Sequence, residues 1–257
     1  MELCLITCNI RFDNPADGQN SWLHRRDFLA QTLLKYNPSI IATQEGRIHQ
    51  LNEFKLSLND YHLVDQHRSW IGERMYPAFF VKNAAFEYLS SGDMWLSETP
   101  DIAGSVSFES AFPRLMTWTK LQIKDSKQNF FIVNTHLDHV KNETRINQIK
   151  VLAHEIKRIW DQSSPLVIMG DFNDSPDGHV REILMDEFPF LQDAWKIFNP
   201  IEETSHHAFM GEIENGSRID WILVDQKLAV TSCLMDKSVK DGLYPTDHYP
   251  IVCNIKI

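Results

Sequence analysis

Short apolar runs alternate with segments whose apolar residues recur at helical spacing. Leu3 to Ile10 is an apolar run rich in β-formers and predicts a buried strand. Ser21 to Tyr36 predicts a helix, opened by the capping-type pair Asn20-Ser21 and stopped by Asn37-Pro38. Ser39-Ile40-Ile41-Ala42-Thr43 predicts a second strand, ending at Gln44-Glu45. Ile48, Leu51, Phe54 and Leu58 then return at helical spacing. Tyr61 to Ile123 reads as short strands and turns, including Ala78-Phe79-Phe80-Val81 and Leu115 to Ile123. Phe130 to Leu137 predicts a strand. Ile146, Ile149, Leu152, Ile156 and Ile159 mark an amphipathic helix. Leu166 to Met169 predicts a strand, and Ile219 to Val224 and Tyr249 to Ile257 predict two more.

The pattern has an internal echo. A strand ends at Asn9, a helix follows, and a second strand opened by Pro38 ends at Glu45. Later a strand ends at His136, a helix follows, and a strand opened by Pro165 ends at Asp171. Two such strand–helix–strand units predict pseudo-symmetric halves that place four polar groups on one rim, where ligands gather in α/β sheets.

Bulk properties narrow the class. At 257 residues, 43% hydrophobic and 23% charged, the chain is expected to fold as one domain, 1–257, with a real core. No apolar run is long enough for a membrane span, and the N-terminus lacks the features of a signal peptide, so the expected location is cytoplasmic. Cys4, Cys8, Cys233 and Cys253 form no CxxC pair and sit in apolar runs, as reduced thiols acting as small hydrophobes do. The net charge of −10 argues against a general duplex-DNA binder, because neutralising phosphates needs a basic face.

Six clusters carry candidate chemistry. Gly170-Asp171-Phe172-Asn173 follows an apolar strand and puts a carboxylate and an amide two residues apart, on the same side. That pair suits a hard cation, or a water held against a phosphate; a turn would use the same residues. Thr246-Asp247-His248 offers an anionic ligand beside a group that titrates near neutral pH. His136 in Asn134-Thr135-His136-Leu137-Asp138-His139 ends a buried strand. Glu45 and Asn9 end two others. Asp220 opens an apolar strand and, if buried, needs a partner such as a charged histidine.

In this order, from Asn9 to His248, the clusters resemble the endonuclease/exonuclease/phosphatase (deoxyribonuclease-I-like) superfamily: an Asn on the first strand, QE, THL, GDFN, an Asp before a strand, then DH. The stretches Asn9 to Pro15 and Asp93 to Pro100 resemble small bacterial members. The resemblance implies a four-layer αββα sandwich, two mixed sheets flanked by helices, with the site where strand C-termini converge. It implies a Mg²⁺ or Mn²⁺ site at Glu45, Asn9 and Asp247. Asp171 and Asn173 would lie across the scissile phosphate, and His136, His248, Asn173 and Arg114 would contact it. Asp220 would orient His248. The implied activity is hydrolysis of a phosphodiester or phosphomonoester in a small phosphorylated molecule, nucleotide or single-stranded nucleic acid. Either Asp171 or an Asp220-oriented His248 fits the general base.

Two other readings share some of these residues. Asn134 to His139 is the H-x-H-x-D-H zinc signature of metallo-β-lactamase-like hydrolases with its first His replaced by Asn134. The same fold also serves non-catalytic binding modules. Among the remaining features, Trp22, Trp70, Trp95 and Trp118 read as core or as stacking surfaces. His206-His207 reads as loop within reach of the pocket, Gly72 to Met75 as a turn, and Arg25-Arg26 as a solvated helix face, with Arg11 or Arg25 close enough to the first strand's rim to meet a phosphate.

Overall fold

The computed structural model describes residues 1–257. In chain order the elements are β1 (Glu2–Asn9), α1 (Trp22–Leu34), β2 (Ile40–Gly46), α2 (Ile48–Ser57), β3 (Tyr61–Leu63), β4 (Tyr76–Lys82), β5 (Phe86–Trp95), β6 (Leu115–Ile123) and β7 (Asn129–His136). There follow α3 (Asn142–Ile159), β8 (Leu166–Asp171), α4 (His179–Glu187), β9 (Leu191–Asp193), α5 (Ala194–Phe198), β10 (Asp220–Asp225), β11 (Ala229–Met235) and β12 (Ile251–Lys256).

The strands form two six-stranded sheets, ordered β11-β12-β1-β2-β4-β3 and β5-β6-β7-β8-β10-β9. Each is mixed in the same way: one parallel pair, β1–β2 or β7–β8, inside antiparallel neighbours. The echo in the sequence is therefore a correspondence of whole sheets, with β1-α1-β2 standing to the first as β7-α3-β8 stands to the second.

Three apolar layers hold the four structural ones together. Leu3, Leu5, Ile40, Ala42, Phe130, Ile132, Val167, Met169, Ile222 and Val224 pack between the sheets. Their strand neighbours Cys4, Ile6, Ile41 and Phe80 face α1 and α2. Phe131, Val133, Leu166, Ile168 and Leu223 face α3 and α4. Both faces of each central strand are buried, which is why these strands read as continuous apolar runs rather than alternating ones.

Some expectations are adjusted. Ser21 precedes α1 but makes no side-chain capping bond; its backbone N–H donates instead to Gly18 O at 3.1 Å, closing a short 3-10 turn over Pro15–Asn20. Helices α4 and α5 and strands β9 and β11 were not foreseen. Arg25 is not on a solvated face. It is buried, and donates to Ile10 O at 2.6 Å, Arg11 O at 2.7 Å, Asn20 O at 2.9 Å and Pro245 O at 3.3 Å. Trp22 and Trp95 are buried, Trp70 and Trp118 pack against the outer layers, and none lines the main cavity. The four cysteines are free and buried. No helix is long and apolar enough to cross a membrane.

Candidate active site

The core alternation itself delivers the site. On β1, β7, β8 and β10 the face toward the opposite sheet is apolar at its centre and turns polar toward the rim, at Thr7 and Asn9, at Asn134 and His136, at Asp171 and at Asp220. Because β10 runs antiparallel to β8, with Asp220 opposite Asp171, its beginning meets the ends of the others. Glu45 breaks the alternation. Its φ is 65°, and the β2–β4 register shifts between Thr43 and Gly46. Such a bulge re-aims a side chain, and Glu45 turns into the cavity. Arg11 (φ 53°) and Asn173 (φ 50°) are also left-handed. Non-glycine residues in this region store strain and cluster at functional sites.

Asp171 sits at the centre. Its Oδ2 accepts from Asn9 Nδ2 at 2.9 Å, its Oδ1 accepts from Asn173 N at 2.9 Å, and His136 Nε2 lies 3.4 Å from Oδ2. Gly170 permits this approach. At φ 142°, a Cβ there would stand 2.1 Å from Thr135 O. Burial and the neighbouring Asp220 push the Asp171 carboxyl well above the usual carboxylate range, against His248, Asn9 and Asn173, which favour its charge.

His248 Nδ1 is 2.8 Å from Asp220 Oδ2, and its Nε2 is 3.9 Å from Asp171 Oδ2. Burial alone would lower its pKa, but Asp220, then Asp171 and Asp247, lift it to about 10. The surrounding carboxylates thus favour the charged imidazolium of His248. His136 is its opposite. Burial and the Arg114 guanidinium hold it well below the ordinary histidine value. Arg114 Nη1 lies 2.9 Å from His136 Nδ1, and a guanidinium only donates, so Nδ1 accepts and the ring proton sits on Nε2, toward Asp171. Arg114 also donates to His139 Nδ1 at 3.2 Å. It is buried, forms no carboxylate ion pair, and its Nε has no partner.

The structure brings Glu45, Arg114, His136, Asp171, Asn173, Asp247 and His248 to one cavity of about 580 Å³. Asn9 and Asp220 stand behind it. Both ends of the Asn9 amide are engaged, since Oδ1 accepts from Arg11 N at 2.9 Å. Asn9 therefore bridges β1 and β8, with one lone pair of Oδ1 left. The Nδ2 of Asn173 donates to Leu137 O at 3.0 Å, which leaves Oδ1 toward the cavity.

Glu45 Oε2 accepts from Phe12 N at 3.0 Å, leaving Oε1 free. Asp247 lies 3.8 Å from Arg11 and 3.9 Å from His206. His206, read as loop, lines the cavity because a bridge pairs it with His248 and His207 N donates to Asp247 O at 2.8 Å. His139, the last His of the H-x-H-x-D-H pattern, lines it too, as do Arg47 and Arg74, which carry no periodic or motif signal. The donor set is rich in carboxylate oxygen and suits a hard divalent cation. His206, Asp247 and His248 bring ligand atoms within 4.8 Å of one another, as do Asp171, Asp220 and His248.

The zinc reading fails on geometry. Asn134 is buried between the sheets, accepts from Gln44 Nε2 at 2.7 Å and donates to Thr43 O and Ala78 O. Asp138 accepts from the backbone N–H groups of Ala111, Val140 and Lys141, ahead of α3. Neither is available to a metal.

Residues 6–248 match the model of the endonuclease/exonuclease/phosphatase family. The chain belongs to this family. Endonuclease/exonuclease/phosphatase proteins are typically phosphodiester or phosphomonoester hydrolases and generally use divalent metal ions. Mouse (Mus musculus) nocturnin is 23% identical over 261 residues, which span 91% of this chain and 58% of nocturnin. A family structure from Bacteroides vulgatus superposes with a TM-score of 0.92 at 28% identity, covering 100% of this chain and 99% of the other. A Bacteroides thetaiotaomicron mannosyl-6-phosphatase superposes with a TM-score of 0.87 at 24% identity, covering 99% and 100%; at that identity the likeness shows the fold alone.

Proposed function

We propose that the protein is a Mg²⁺- or Mn²⁺-dependent hydrolase of phosphodiester or phosphomonoester bonds, working in the cytoplasm on a small phosphorylated molecule or nucleotide. The observation that carries this reading is one cavity lined both by carboxylates and by cationic or N–H donor groups. Glu45 and Asp247 offer carboxylate oxygens to a cation, whereas Arg114, His136 Nε2–H and His248 offer donors to an anion. A phosphate ester with its metal satisfies both.

Glu45 and Asp247 would hold the ion, which when bound supplies a Lewis acid and lowers the pKa of water. Arg114 would neutralise the phosphate and, by donating to His136 Nδ1, keeps the ring proton on Nε2, beside Asp171 and the cavity. His248, fixed by Asp220, stabilises the negative charge that grows on the phosphate oxygens. With His248 Nδ1 held by Asp220, Asp171, whose carboxyl is raised by burial and Asp220, is the group suited to receive a proton from the attacking water. Asn173 Oδ1 helps orient that water. The net charge of −10 keeps long nucleic-acid duplexes unfavoured.

The test is Mn²⁺ binding, followed by electron paramagnetic resonance, in wild type, Glu45→Ala and Asp247→Ala. Both substitutions should weaken binding about ten-fold or more while the folded spectrum persists. Unaltered Mn²⁺ affinity in both would refute the metal assignment.

A further inference from the structure

The cavity holds more positive charge than its reaction centre uses. Arg114 and His248 face Asp171, and Arg11 leans on Asp247. Two further guanidiniums, Arg47 and Arg74, line the same cavity in a chain of net charge −10. Arg47 opens α2; its Nη1 donates to Asp13 O at 3.1 Å, its guanidinium lies 5.0 Å from the Phe12 ring, and its buried Nε has no partner. Its single carboxylate neighbour, Glu73, is 3.7 Å away and 80% exposed, where water screens the attraction. Arg74 is exposed and makes no ion pair. The cavity volume, about 580 Å³, is that of a pocket for a whole small molecule, not for a bare phosphate.

We propose that Arg47 and Arg74 form a second phosphate subsite, so that the preferred substrate is a phosphate ester whose leaving group carries another phosphate. This rests on the scissile phosphate binding at Arg114, as argued above. The planar guanidinium fork suits a terminal phosphate, which it meets with two parallel N–H···O bonds. Phe12, flanked by Arg11 at 4.5 Å and Arg47 at 5.0 Å, fixes the direction of Arg47 and gives the subsite an apolar edge.

Alkane bisphosphonates of increasing chain length measure the span between the two sites. Calorimetric titration of the whole protein without metal should find one length that binds about ten-fold or more tightly than the monophosphonate of that length. The double variant Arg47→Ala/Arg74→Ala should remove that advantage and bind monophosphonates as wild type does. Arg114→Ala should lose both ligands. If no bisphosphonate outperforms its monophosphonate, or if the double variant keeps the advantage, the subsite is refuted while the reaction centre stands. If wild type binds no monophosphonate, the failure lies in the phosphate site at Arg114. A strong bisphosphonate that is insensitive to Arg47 and Arg74 would place the second site elsewhere and overturn the assignment.

Discussion

Asn9 donates its amide to Asp171 across 2.9 Å, and this bond ties the last residue of β1 in one sheet to the last residue of β8 in the other. The bond favours the ionised carboxylate, against the burial that pushes Asp171 up. In Asn9→Ala the Asp171 pKa therefore rises further. The acid limb of kcat/KM should move to higher pH, and kcat at neutral pH should fall about ten-fold or more. A pH–rate profile checks this; a lower kcat with an unmoved limb would show that Asn9 acts only on packing.

A second buried cluster concerns stability alone. Asp93 on β5 accepts from Arg68 Nε at 2.7 Å and Nη2 at 2.8 Å and from Thr117 Oγ1 at 2.7 Å, with His67 at 3.1 Å. Burial pushes its carboxyl up, but Arg68 and His67 prevail and hold it well below the usual range. A carboxylate depressed in the folded state contributes stability that is complete above its unfolded value, about pH 4, and is lost as pH falls below that toward the folded value. Asp93→Asn should cost about 3–5 kcal/mol at neutral pH and flatten the acid side of the stability curve. Urea denaturation across pH measures both.

Much of this was legible in the sequence because the strands that position the site are buried on both faces. Leu3 to Ile10, Ile40 to Thr43 and Leu166 to Met169 read as strands from apolar content alone, and the polar residue closing each one marks a rim. The edge strands β9 and β11 were not legible. β9 is three residues long, and β11 alternates weakly, with several of its residues exposed. His206 and Arg47 reach the cavity through loop pairing and helix placement, which leave no periodic trace. Arg25 looked solvated because its partners are backbone carbonyls, which no side-chain pattern reveals.

Arg25 should matter to folding rather than to chemistry. Burial lowers its guanidinium to about 10, and its donors hold four carbonyls from the segment just after β1, the 3-10 turn and the loop before Asp247. Arg25→Ala removes these bonds, leaving the buried Ile10 carbonyl without its side-chain donor, and should cost about 2–4 kcal/mol, seen as a lower Tm. A melting temperature equal to wild type would count against this account of the rim.

Gly170→Ala should be costly for a different reason. The added Cβ would collide with Thr135 O, a backbone atom that cannot swing away, and φ of 142° disfavours any side chain. Strands β7 and β8 would have to separate beside Asp171. A loss of about 2–4 kcal/mol is expected, together with a fall in hydrolysis; unchanged stability would contradict the close approach.

The most direct measurement is hydrolysis of p-nitrophenyl phosphate and bis-p-nitrophenyl phosphate by metal-stripped wild type and Asp171→Asn, each restored with Mg²⁺, Mn²⁺ or Zn²⁺. The account predicts wild-type turnover of at least one ester with Mg²⁺ or Mn²⁺, and a fall of about 100-fold or more in Asp171→Asn at unchanged Tm. Equal turnover by the variant would contradict the role given to Asp171. Silence of the wild type with every metal, while it still binds phosphonates, would contradict hydrolysis itself and leave a binding protein on this fold.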